Sequence, residues 1–249
     1  MASIIAHPGR GPRLSLRAMG RLLLSRIGCD CPLCGARVAG ARLCPGCEAD
    51  ILAAGPDARP RCPRCALSLP RGAPCCAACL GAPRSFARTV AAFDYAPPAD
   101  ALILMLKARL RLGMAPVLAR LMAAAVARDG PLPAGVLLVP IPASRASLRR
   151  RGMNPAAEIA RGLAAELVLP LARGVLLRRR EAPRQTGRSR RARRRGAVGL
   201  FACGGGVSGR HVAVVDDVMT TGSTADAAAV ALLAAGAASV TVLVAARTP

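Results

Sequence analysis

The apolar and polar positions divide the chain into three stretches. Residues 14–27 form a basic run with recurring leucines, read as a short helix leading into a cysteine-rich stretch. Residues 29–80 offer few apolar side chains and many cysteines. From residue 88 onward, short apolar runs alternate with stretches of helical spacing. Strands are predicted over 88–93, 136–139, 211–215 and 240–246, and helices over 99–112, 116–127, 155–167 and 224–235. Asn154 is placed to cap the third of these helices, with Pro155 at its first position. Strands alternating with helices predict an α/β domain with a largely parallel sheet. Residues 227–246 carry no charge and are long enough to span a membrane. Their alanine content, the central Gly236 and the β-branched tail instead predict a buried helix, a turn and a buried strand. The expected organisation is a basic lead-in over 1–28, a cysteine module over 29–80 and an α/β domain over 87–249.

Composition narrows the function. Apolar residues make up 53% of the 249, so a wholly disordered chain is excluded. Aromatics are 2%, with no Trp, so the core must be built from Ala, Val and Leu, and surfaces that stack bases on several aromatic rings are excluded. The net charge is +23, and Lys107 is the one Lys among 36 basic residues. A compositional preference for Arg accounts for that ratio but not for the excess over acids, which favours polyanionic partners. The stretch 178–195 holds ten Arg and one Glu. It reads as a solvated loop, a mobile pyrophosphate-capturing loop or a nucleic-acid contact, since the Arg fork pairs bidentately with phosphate. The N-terminus has no apolar core followed by a small-residue cleavage site, so a cytoplasmic protein with reduced thiols is expected.

Ten of the eleven cysteines lie between residues 29 and 79. Eight form CxxC pairs: Cys31 with Cys34, Cys44 with Cys47, Cys62 with Cys65, and Cys76 with Cys79. A CxxC pair presents two thiolates to one metal, and two pairs complete a tetrahedral Cys₄ site. Two structural zinc ions are predicted, with no open ligand position. Sequential pairing gives two small knuckles and crossed pairing an interleaved module; the short gaps favour the former. Cys29 and Cys75 are spare.

Residues 212–224 (VAVVDDVMTTGST) carry the second signal. An apolar strand runs into Asp216 and Asp217, then into a small, hydroxyl-rich loop that opens a helix. A helix N-terminus attracts phosphate. Gly222 permits close backbone approach, and Thr220, Thr221, Ser223 and Thr224 add hydroxyls. The two acids stand where a sugar would extend from that phosphate, which implies a sugar 5′-phosphate ligand.

This motif resembles the ribose-phosphate signature of type I phosphoribosyltransferases, which bind 5-phosphoribosyl 1-diphosphate (PRPP) with Mg2+. Together with the cysteine pairs, Leu106-Lys107, Val139-Pro140-Ile141-Pro142, Arg151-Gly152-Met153-Asn154 and Gln185, the chain resembles the ComF/GntX family of competence-associated proteins. The resemblance implies a phosphoribosyltransferase-like parallel sheet with helices on both faces and an N-terminal double zinc module. It implies that Asp216 and Asp217 hold the ribose hydroxyls as the catalytic pair, that residues 220–224 hold the 5′-phosphate, and that Lys107 and Arg151 face the pyrophosphate. It also implies DNA uptake, with single-stranded DNA and a helicase-like protein as partners. The chain departs from the family pattern at Pro155, over 193–201, which lack Asn, and at Thr220, where many nucleobase-using relatives carry an acid. The alternatives are therefore an active Mg2+-dependent phosphoribosyltransferase and a PRPP-binding protein of DNA uptake.

Overall fold

A computed structural model describes residues 28–53, 60–179 and 199–249. The helix expected at 14–27, Gln185 and nearly all of the arginine-rich stretch lie outside them. In chain order, the hairpin β1 (Gly28–Asp30) and β2 (Arg37–Ala39) is followed by α1 (Pro45–Ala53), and the next cysteines lead into α2 (Ala77–Leu80). Then come β3 (Arg88–Asp94), α3 (Asp100–Lys107), α4 (Met114–Arg128), β4 (Leu137–Pro140), α5 (Arg145–Arg151) and α6 (Pro155–Glu166). The antiparallel pair β5 (Leu176–Arg178) and β6 (Phe201–Cys203) brackets the arginine-rich stretch. The chain closes with β7 (His211–Met219), α7 (Ser223–Ala234) and β8 (Ser239–Arg247).

Strands β3, β8, β7 and β4 form, in that order, a sheet in which every pair is parallel. Their sequences are nearly continuous apolar runs because both faces are covered. Side chains alternate between the faces. Ala92, Leu138, Ala213, Val215 and Leu243 join one core with α3, α4 and α6. Ala91, Val139, Val214, Val242 and Val244 join a second core with α7 and the β5–β6 hairpin. With so few aromatics, small residues let elements approach closely. A Cβ on Gly162 of α6 would lie 2.8 Å from the Cβ of Ala119 in α4.

The uncharged stretch 227–246 is a helix, turn and strand, split between α7 and β8; the strand is buried as expected, but the helix is buried on one face only, with Val230 exposed. Among the described residues no helix is long and apolar enough to cross a membrane. Three further local expectations change. The helix expected over 99–112 ends at Lys107, because Leu110 turns the chain at φ +52°. Helix α5 was not expected. Ser144 caps it by accepting from the Ser147 N–H, and Gly152 at φ +68° stops it. Asn154 occupies the cap position of α6 but makes no side-chain cap; its amide donates to the Ile141 carbonyl at 2.9 Å, tying the helix entry to the end of β4.

Candidate functional site

The cysteines resolve into two tetrads. Cys31, Cys34, Cys44 and Cys47 bring their sulfurs within 4.8 Å of one another, as do Cys62, Cys65, Cys76 and Cys79. Pairing is therefore sequential. Spacing at this range suits a Cys₄ zinc site, and the donor electrostatics fit a cation as well. Burial pushes the Cys31 thiol up, but N–H groups of Cys44, Cys34 and Leu33 outweigh it and bring it down to about 6. Cys62 is likewise brought down to about 6, by N–H groups of Cys76, Cys65 and Arg64 acting against burial. Neighbouring thiols push Cys47 up, and burial with the Cys65 charge pushes Cys79 up, so each tetrad crowds sulfurs that a zinc ion would draw together as thiolates. Of the two spare cysteines, Cys75 sits 3.4 Å from the Cys62 sulfur.

The two knuckles pack into different cores. Cys31, Leu43 and Ile51 of the first belong to the α4 face, where Arg120 donates to the Ala41 carbonyl at 3.0 Å. The second tetrad belongs to the α7 face, and Arg61 beside it pairs with Asp94 at the end of β3 at 2.8 Å.

The motif over 212–224 lies at the carboxyl ends of the parallel strands, where α/β sheets bind ligands. Strand β7 ends at Met219 and α7 begins at Ser223, leaving a three-residue turn. Gly222 caps the helix at φ +75°, and a Cβ there would drive into the Met219 Cε. Glycine suits the left-handed backbone here, whereas the Met219 Cε is the far end of a flexible side chain that can shift. Thr221 Oγ1 lies 2.9 Å from Ser223 Oγ, which organises the hydroxyls at the first turn of α7. Asp216, Thr220, Gly222, Ser223 and Thr224 line one cleft with Met219.

The two acids point to opposite faces, as adjacent strand residues must. Asp217 is buried, 8% exposed, and its Oδ1 meets Lys107 Nζ at 2.7 Å on the α3 side. Asp216 faces the cleft. Burial and then the Asp217 charge push its carboxyl up to about 7, against the pull of the Asp217 N–H, Lys107 and Arg178.

No protein-family model matches the chain. It is 37% identical over 194 residues to DNA utilization protein YhgH of Salmonella typhi, covering 75% of this chain and 84% of that one. The YhgH protein of Escherichia coli K12 is 35% identical over 190 residues, with the same coverage. Competence protein F of Haemophilus influenzae is 30% identical over 188 residues, covering 73% of this chain and 80% of its own. The chain belongs to the ComF/GntX family.

Of the ComF/GntX landmarks read from the sequence, Lys107 and the Pro140-Ile141-Pro142 turn meet β7. Lys107 reaches Asp217. Pro140 pairs with Val215 across the sheet, placing the Pro140-Ile141-Pro142 turn beside Asp216. Arg151 closes α5, half-buried, in the segment that leaves this turn. Three arginines were missed as individual site residues. Arg178, at the end of β5, donates to the Pro142 carbonyl at 3.3 Å, stacks over Phe201 at 5.5 Å and acts on the Asp216 carboxyl. Arg84 donates to the Thr221 carbonyl at 2.9 Å. Arg247 donates to the Met219 carbonyl at 3.2 Å. No local sequence signal marked Arg84 or Arg247: one lies in the joint after the cysteines, the other just past the strand predicted over 240–246.

Proposed function

We propose that this ComF/GntX protein binds PRPP, or a related ribose 5-phosphate, at the β7–α7 turn and acts in DNA uptake and utilisation. The observation that carries the ligand reading is the joint geometry of Gly222 and Asp216. A left-handed glycine opens the helix toward a phosphate, and a carboxyl in the same cleft can accept from sugar hydroxyls. Thr220 to Thr224 would hold the 5′-phosphate. Asp216 would face the ribose directly. Asp217, held by Lys107, would orient that end of the strand and place the ammonium for a diphosphate, with Arg151 and Arg178 behind it. Magnesium enters as the counter-ion of the diphosphate. The two cysteine tetrads are the only clusters of three or more ligand side chains among the described residues, so the protein's own share in holding it would be one or two carboxylates.

The DNA role is supported by the names of the relatives, DNA utilization protein and Competence protein F. The +23 charge supplies the affinity for single-stranded DNA, and the arginines over 178–195 are the proposed contact, with a helicase-like protein as a further partner. Eight thiols that must stay reduced to hold zinc favour the cytoplasm.

One observation favours the enzymatic alternative, pentosyl transfer from PRPP. A carboxyl held near neutrality beside the ribose site is suited to general acid–base work, a role the Thr220 position leaves unfilled. Calorimetry with PRPP and with ribose 5-phosphate, followed by pyrophosphate release with single-stranded DNA or nucleobases added, separates the readings. Binding without release supports a PRPP-sensing DNA-uptake protein, release supports the enzyme, and absence of binding removes both.

A further inference from the structure

The second knuckle and the β7–α7 turn are joined by two arginines and one backbone bond. Arg247, 6% exposed at the end of β8, donates through Nε to the Cys65 carbonyl at 2.9 Å and through Nη1 to the Met219 carbonyl at 3.2 Å. It thus bridges a CxxC loop of the second tetrad and the last residue of β7. Arg84 makes the parallel bridge. Arg84 follows Cys79 by five residues, its guanidinium draws the Cys79 thiol down against burial, and it donates to the Thr221 carbonyl at 2.9 Å. It also packs under Gly222, where a Cβ would lie 3.8 Å from its Cζ. Next to it, the Ser85 N–H donates to Asp226 Oδ1, in the first turn of α7, at 2.7 Å. The segment that reads in sequence as a joint between two modules is therefore fastened to the motif.

We infer that the second zinc knuckle positions the phosphate loop. Its folded, metal-holding form sets Arg84 and Arg247, and these hold the Met219 and Thr221 carbonyls so that the turn keeps its shape beside the cleft. The two knuckles are then unequal. The first packs on α4, on the other face of the sheet, and shares none of these bridges. Arg84 and Arg247 are positioning residues: their guanidinium groups are engaged with backbone carbonyls.

The inference rests on the sugar-phosphate reading only for its binding readout. Amide hydrogen exchange of residues 219–225 reads the loop with no ligand present. In the full-length protein, Cys79→Ser should lose one zinc ion and speed exchange of this loop at least tenfold. Cys34→Ser should also lose one ion yet leave loop exchange as in the unaltered protein. Arg84→Gln should keep both ions and still speed loop exchange, which separates the bridge from the folding of the knuckle. Ribose 5-phosphate should bind at least tenfold more weakly to Cys79→Ser and Arg84→Gln than to Cys34→Ser. Equal loop exchange in the two Cys variants, or unaltered loop exchange in Arg84→Gln, would overturn the inference. If the unaltered protein binds no ribose 5-phosphate while the exchange pattern holds, the ligand reading fails and the coupling stands.

Discussion

Lys107 Nζ lies 2.7 Å from Asp217 Oδ1, and the two come from elements 110 positions apart that meet over one face of the sheet. The Lys107 side chain is 24% exposed and that of Asp217 11%, so the pair is screened less than a surface ion pair. The only Lys in a chain full of Arg is spent on one of two adjacent acids. Removing it leaves a buried carboxylate without its cation. Asp217 Oδ1 still accepts from the Val218 N–H at 2.7 Å, so Lys107→Met should destabilise the fold by about 1 kcal/mol, the net worth of one hydrogen bond. Adding Asp217→Asn should recover part of the loss. Urea denaturation of the single and double variants checks this, and an unchanged midpoint for Lys107→Met would show the pair to be energetically idle.

The tetrads predict zinc stoichiometry variant by variant. Protein purified without chelator should hold about two ions per chain. Cys34→Ser and Cys65→Ser should each lose one, and Cys203→Ser none. Elemental analysis with a thiol count decides it. A folded chain with no metal, or with iron–sulfur absorbance, contradicts the assignment.

Asp216 sets a pH dependence whose sign follows from its raised folded-state value near 7. The unfolded chain gives up this proton near pH 4, so between about pH 4 and 7 the folded state binds more protons. The contribution of this group to stability therefore falls as pH rises through that window, by at most ~1.4 kcal/mol per pH unit, and levels off above it. Asp216→Asn should flatten this slope in thermal melts. If ribose hydroxyls donate to the carboxylate, ribose 5-phosphate affinity in the unaltered protein should rise through pH 7. Asp216→Asn should keep only the rise due to the phosphate, which itself ionises near pH 6.

Gly222 is the sharpest single test of the phosphate turn. Any side chain there meets a positive φ, and the flexible Met219 Cε has to shift to admit it. Gly222→Val should abolish ribose 5-phosphate binding and cost at least ~1 kcal/mol of stability through the left-handed backbone alone. Thermal shift with and without ligand reads both effects. A variant that still gains melting temperature from ribose 5-phosphate would reduce the turn to an ordinary helix cap.

Arg178 lowers the Asp216 carboxyl and stacks on Phe201. Arg178→Gln should therefore move Asp216 titration to higher pH, followed by carboxyl carbon shifts in NMR. An unmoved titration would leave Arg178 as a packing residue only.

Much of this protein was decided by the sequence alone, because the deciding signals are local. Apolar runs alternating with helical spacing pointed to an α/β domain with a largely parallel sheet, and the family resemblance added the helices on both faces. Two CxxC pairs separated by nine or ten residues favoured tetrads made from neighbours, since short loops close at little entropic cost. The acids followed by a glycine-bearing turn and a helix marked the site, since each feature is stereochemistry within a few residues. Tertiary packing decided the rest. It gave Asp216 and Asp217, on opposite faces of one strand, their different partners, and it placed one knuckle in each core. It also brought Arg84 to Thr221, 137 residues away, and Arg247 to Cys65, 182 residues away. Spacing along a chain carries no record of such distances. Which arginine of 35 meets a carbonyl is fixed only when the sheet, its two layers and the knuckles close around it.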